Sequence, residues 1–111
     1  PPPLLLRAGE RPRPLEEGGT IVGLGTGAAF EEGSVHLEPG DRLALCTDGV
    51  LEMFSPSGGL FGEGRLEDAL GASATLSLAA QRDFVGRRVS GWAAGIPAHD
   101  DVSLLLVEVL P

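Results

Sequence analysis

The sequence has no lysine and no tyrosine, one cysteine and one tryptophan. A single cysteine, Cys46, excludes an intrachain disulfide and any cysteine-rich zinc site. A metal held here would need oxygen or imidazole ligands, and a reducing cytoplasm is the compartment that fits best. No apolar run approaches the roughly 20 residues needed to span a bilayer. The opening Pro1 to Leu6 is apolar but follows no basic segment, so it does not read as a signal peptide. It also lacks an initiator methionine, so the reading is of a fragment, or of a chain beginning inside a larger protein. All eight basic residues are arginines, set against 16 acidic ones, for a net charge of −8. Such a balance disfavours nucleic acid and anionic membrane surfaces, whose phosphates would be repelled. What is present, 111 residues with 42% hydrophobic content, suits one folded domain with a modest core.

The chain reads as strands, then two helices, then a strand, which predicts a mixed α/β (α+β) architecture. Leu4 to Arg7 is a short strand, closed by a turn at Ala8-Gly9-Glu10. Arg11 to Gly19 carries two prolines and a Gly-Gly pair and reads as irregular or edge-like. Thr20 to Val22 favours β-structure, and Ser34 to Leu37 reads as a strand. Glu38-Pro39-Gly40-Asp41 is a turn, with Pro presetting φ and Gly supplying positive φ. Arg42 to Thr47 is a strand with Leu43, Leu45 and Thr47 on one face and Ala44, Cys46 and Asp48 on the other. Both faces are apolar enough to predict burial. Ser55 to Gly64 is a loop. Glu63 to Leu70 and Leu76 to Trp92 read as helices, the second weakened by Gly86 and Gly91 and broken at Gly95-Ile96-Pro97. Val102 to Leu110 is apolar enough to be a central strand buried on both faces.

Two carboxylate motifs carry chemical interest. Thr47-Asp48-Gly49-Val50 follows one predicted strand, and Asp100-Asp101 precedes the other. If these strands pair antiparallel, Asp48 and the Asp pair converge at one end of the sheet. Clustered carboxylates repel unless a cation neutralises them, and hard oxygen ligands suit Mg²⁺ or Mn²⁺. Gly49 would let the backbone turn sharply away. Adjacent strand residues face opposite ways, so one of Asp100 and Asp101 shares a face with Asp48. Asp101 could instead accept backbone hydrogen bonds. A plainer reading makes all three turn or capping residues.

The run from Leu37 to Glu52, including Thr47-Asp48-Gly49, resembles the PPM-type protein serine/threonine phosphatases of the stage II sporulation protein E family. So do Leu60 to Leu66 and Asp100 to Val107. Pro1 to Leu6, Arg13 to Glu16 and Ile21 to Leu24 also fit, so the resemblance covers nearly the whole chain. It implies a four-layer α-β-β-α sandwich, with residues 1–111 as the C-terminal half of the domain, incomplete at the N-terminus. It implies a binuclear Mn²⁺ or Mg²⁺ centre with Asp48 and Asp100 as ligands. Asp101 becomes a lesser ligand or an outer partner, and Thr47 and Gly49 shape the site. The implied reaction is hydrolysis of phosphoserine or phosphothreonine on a regulatory protein, such as an anti-sigma-factor antagonist. The family also has an earlier half-domain with an Asp-Gly pair that bridges the metals. No counterpart is found here: Glu16, Glu17, Glu31, Glu32 and Asp41 lack the motif. The chain alone is therefore expected to bind metal weakly, to lack activity, and to expose apolar strands that favour a homodimer. The alternative is a non-catalytic partner-binding module derived from such a phosphatase.

Other features carry less. Gly23 to Ala28 matches a dinucleotide fingerprint, but Gly33 and Pro39 leave little room for the helix it requires. Cys46 reads as a small core residue. His36 and His99 read as surface residues, although His99, just before the Asp pair, could touch the site. Arg7, Arg11 and Arg13 read as balancing nearby acids, although they could meet a phosphate. Phe84 and Trp92 read as core.

Overall fold

The computed structural model describes residues 1–15 and 35–111. The expected strand at Thr20 to Val22 and the Gly23 to Ala28 loop lie outside the described residues. Among the described residues the elements are β1 (Leu4–Leu6), β2 (Arg13–Pro14), β3 (Arg42–Cys46), α1 (Asp48–Leu51), α2 (Gly62–Ala72), α3 (Leu78–Ala93) and β4 (Leu104–Glu108). The four strands form one antiparallel sheet in the order β2-β1-β3-β4. Proline cannot donate to a sheet ladder, and Pro14 accordingly lies on the edge strand β2.

Side-chain alternation decides which face is core. Leu4, Leu6, Ala44, Cys46, Leu104 and Leu106 point to the face covered by helices. There they meet Leu66, Ala69 and Leu70 of α2 and Val85, Val89 and Ala93 of α3. Each fully buried Leu or Val contributes roughly 1.5–3 kcal/mol before ordering costs. The opposite face carries Leu5, Leu43, Leu45, Leu105 and Val107, which the strand register places side by side. Leu5 and Leu43 are buried, but Leu105 is 58% exposed, and Leu45 and Val107 are exposed too.

The face assignment for β3 agrees with its sequence. The expectation of burial on both faces holds for Leu43 and Ala44 of β3 but fails at Leu45 and for β4, which is an edge strand rather than a central one among the described residues. A continuous apolar run says that both faces can be covered. It does not say that they are.

The two helices lie close to their expected limits. Ser77 caps α3, its hydroxyl accepting from the Ala80 amide at 3.2 Å. Gly86 and Gly91 do not break α3, because its buried stripe is carried by Gln81, Val85, Val89 and Ala93. The helix ends where Ala94 turns left-handed at φ 47°. The turn at Glu38 to Asp41 forms as expected, with Gly40 at φ 90° and the Asp41 amide donating to the Glu38 carbonyl. The expected strand reaching Leu37 does not form over residues 35–37. That backbone instead serves the turn: Arg7 Nη2 donates to the His36 carbonyl, and the Glu38 amide donates to the Asp41 carboxylate.

Candidate functional site

The antiparallel β3–β4 pair ends at Cys46 opposite Leu104. The next residues of each strand therefore meet at one end of the sheet. The Thr47 amide continues the ladder to the Ser103 carbonyl at 3.1 Å. Thr47 Oγ1 donates to the Asp101 carbonyl at 2.7 Å and accepts from the Ser103 amide at 3.0 Å. One hydroxyl thus ties both sides of the site. Thr47 occupies the N-cap position of α1 without a capping hydrogen bond, its hydroxyl being committed across the site.

Gly49 is buried against the same segment. A Cβ there would overlap the Asp101 carbonyl and sit 3.2 Å from the Asp100 carbonyl. The requirement for glycine is therefore close approach, not the sharp turn expected from its backbone freedom. Gly49 has no positive φ and lies inside the single helical turn α1.

Asp48 opens α1, where a carboxylate faces the positive end of the peptide dipoles. Its side chain is 66% exposed. Asp100 and Asp101 are exposed as well. Asp100 Oδ1 accepts from the Asp101 amide at 2.7 Å, so Asp100, not Asp101, uses its carboxylate on the local backbone. All five residues singled out from the sequence, Thr47, Asp48, Gly49, Asp100 and Asp101, fall within this one juncture. The donor chemistry, exposed carboxylate oxygen, is the kind that suits Mg²⁺ or Mn²⁺. Among the described residues, however, no three His, Cys, Asp or Glu side chains are grouped so as to hold an ion. The described residues supply carboxylates from two segments but no complete ligand set.

Other side chains gather around the juncture. The His99 ring meets Phe54 edge-on, with centroids 5.1 Å apart, beside the Asp pair. Trp92 Nε1 donates to the Met53 and Gly59 carbonyls at 3.0 Å, fastening the segment that follows α1. Ser103 enters through its backbone, which the β3–β4 register would have given once the pairing was known. Cys46 faces the core, and burial pushes its thiol above the usual range, which opposes a nucleophilic role. Arg7 and Arg11 pair with acids, Arg7 with Asp41 at 2.7 Å and Arg11 with Asp68 at 3.3 Å.

A helical layer thus covers one face of an antiparallel sheet, and Asp48-Gly49 meets Asp100-Asp101 at one sheet end. The structure aligns with the SiaA-PP2C domain of Pseudomonas aeruginosa at a TM-score of 0.63 and 29% identity, over 68% of this chain and 31% of that one. The family model for stage II sporulation protein E (SpoIIE) matches residues 1–110, and the chain belongs to that family. Protein IcfG of Synechocystis sp. is 29% identical over 93 residues, which is 84% of this chain and 14% of IcfG. The chain spans less than a third of each of these two relatives. Its fold and family are those of PPM-type phosphatase domains.

Proposed function

We propose that this chain is the downstream part of a Mn²⁺- or Mg²⁺-dependent protein serine/threonine phosphatase domain. In this reading Asp48 and Asp100 are metal ligands, Asp101 is a lesser ligand or an outer partner, and Thr47 and Gly49 fix the geometry. The observation that carries it is the juncture of Thr47-Asp48-Gly49 with Asp100-Asp101. The Thr47 hydroxyl and the missing Cβ of Gly49 hold it closed. A bound pair of such ions acidifies a water nucleophile and neutralises phosphoryl oxygens. This chain's part is to present carboxylates at fixed positions on a rigid sheet end. Upstream residues complete the ligand set, in keeping with the two-segment carboxylate supply and the 31% coverage of the SiaA-PP2C chain. The substrate class is a phosphorylated regulatory protein, such as an anti-sigma-factor antagonist, acted on in the cytoplasm. Among the described residues no helix is long and apolar enough to cross a membrane. The test is Mn²⁺-dependent release of phosphate from phosphoserine peptides by the parent domain. Asp48→Asn should abolish it without unfolding the protein.

The second reading is a partner-binding module without catalysis, for which the incomplete ligand set among the described residues speaks. It gains if the parent domain shows no divalent-metal-dependent hydrolysis.

A further inference from the structure

Among the described residues, four of the eight arginines lie within ion-pair distance of a carboxylate: Arg7 with Asp41, Arg11 with Asp68, Arg42 with Glu108 and Arg82 with Asp83. Arg65, Arg87 and Arg88 have no such partner among the described residues, and all three line one groove between α2 and α3. The groove is open, about 430 Å³ in volume, with Trp92 and Phe61 among its lining residues. Its one acid, Asp68, is engaged by Arg11. In a chain of net charge −8, three uncompensated cations gathered over an aromatic floor form a local reversal of sign.

We propose that this groove docks an acidic segment of a partner protein, with its carboxylates on Arg65, Arg87 and Arg88 and an apolar residue against Trp92. Arg65 is preorganised for the task. Its guanidinium lies 3.9 Å from the Trp92 ring centroid, and Nη1 donates to the Leu60 and Phe61 carbonyls at 3.2 and 3.1 Å. The Nε and Nη2 edge remains free among the described residues, and that edge can meet a carboxylate with two parallel hydrogen bonds. Arg88 lies over Phe84, 4.6 Å from its centroid, which holds a second guanidinium at the groove. A short acidic segment meets this local positive field alone. A long polyanion such as nucleic acid would also meet the acidic remainder of the surface.

The proposal is independent of the phosphatase reading, because its test reads binding and not phosphate release. Trp92 is the only tryptophan, so intrinsic fluorescence reports directly on the groove. The 111-residue chain is titrated with a short synthetic peptide of glutamates around a central leucine, and with the same peptide carrying glutamines. The glutamate peptide should give a saturable, salt-weakened change that the glutamine peptide does not. The exposed double variant Arg87→Gln, Arg88→Gln should keep its melting temperature and bind at least about tenfold more weakly. The proposal is overturned if neither peptide gives a saturable change, if both bind alike, or if the folded double variant binds as the parent does. Tighter binding of a single-stranded oligonucleotide than of the peptide would overturn it as well.

Discussion

At the residue scale, the site depends on two small side-chain facts. Gly49→Ala places a methyl group into the Asp101 carbonyl. Since the obstacle is backbone, relief requires the Asp100-Asp101 segment to move, and overpacking of this kind costs about 1–3 kcal/mol. A lowered denaturant midpoint in Gly49→Ala checks this. Thr47→Val removes the hydroxyl that serves Asp101 and Ser103, at about 1 kcal/mol, while Thr47→Ser keeps both bonds. Parallel urea titrations of the two variants should separate them. A third residue governs acid stability. Asp41 is buried, its carboxylate held below its ordinary value of 3.8 by the Arg7 hydrogen bond and by the Glu38 amide. A depressed folded value means that the stabilisation is present above pH 3.8 and is lost as pH falls through the lower, folded value. Unfolding monitored against pH should therefore show a loss of stability below about pH 4 that Asp41→Asn no longer shows.

At the element scale, Gln81 joins the helical layer to the sheet. It is fully buried on α3, its amide donating to the Leu70 carbonyl of α2 at 3.1 Å. Its carbonyl accepts from Arg42 of β3 at 2.8 Å, and Arg42 in turn pairs with Glu108 of β4. Four elements thus share one polar link inside an apolar layer. Gln81→Leu leaves part of the Arg42 guanidinium unpartnered and the Leu70 carbonyl with only the Ser73 hydroxyl at 3.3 Å, and should cost about 1–3 kcal/mol in a thermal or denaturant melt. None of this was legible in the sequence. Gln81 sits at a helical position where a polar residue reads as surface, and only tertiary packing reverses that. The helices themselves were legible, because Leu66, Ala69, Leu70, Val85 and Val89 repeat at helical spacing. The strand expected up to Leu37 was misread because Val35 and Leu37 satisfy a strand pattern whose backbone is instead spent on Arg7 and the Asp41 turn.

At the scale of the whole molecule, the sheet is covered by helices on one face and shows Leu45, Leu105 and Val107 on the other. Exposed apolar strands of this kind favour association. The 111-residue chain should sediment as a dimer or larger species, and Leu105→Lys, at the most exposed of the three, should return it to monomer with its fold intact. The candidate site was legible further than the fold around it. Asp48-Gly49 and Asp100-Asp101 stood at the adjoining ends of two strong strand patterns, so a single assumption, antiparallel pairing, brought them together. The degree of burial was not legible, because Val102 to Leu110 is apolar on both faces whether or not a second layer covers it. On the proposed function, this juncture is one side of a metal-dependent phosphatase centre. The most direct test is Mn²⁺-dependent phosphate release from a phosphoserine peptide by the parent domain, with and without Asp48→Asn. Release should need the metal and be lost in the variant. Release that survives Asp48→Asn, or its absence with every divalent ion, would contradict it.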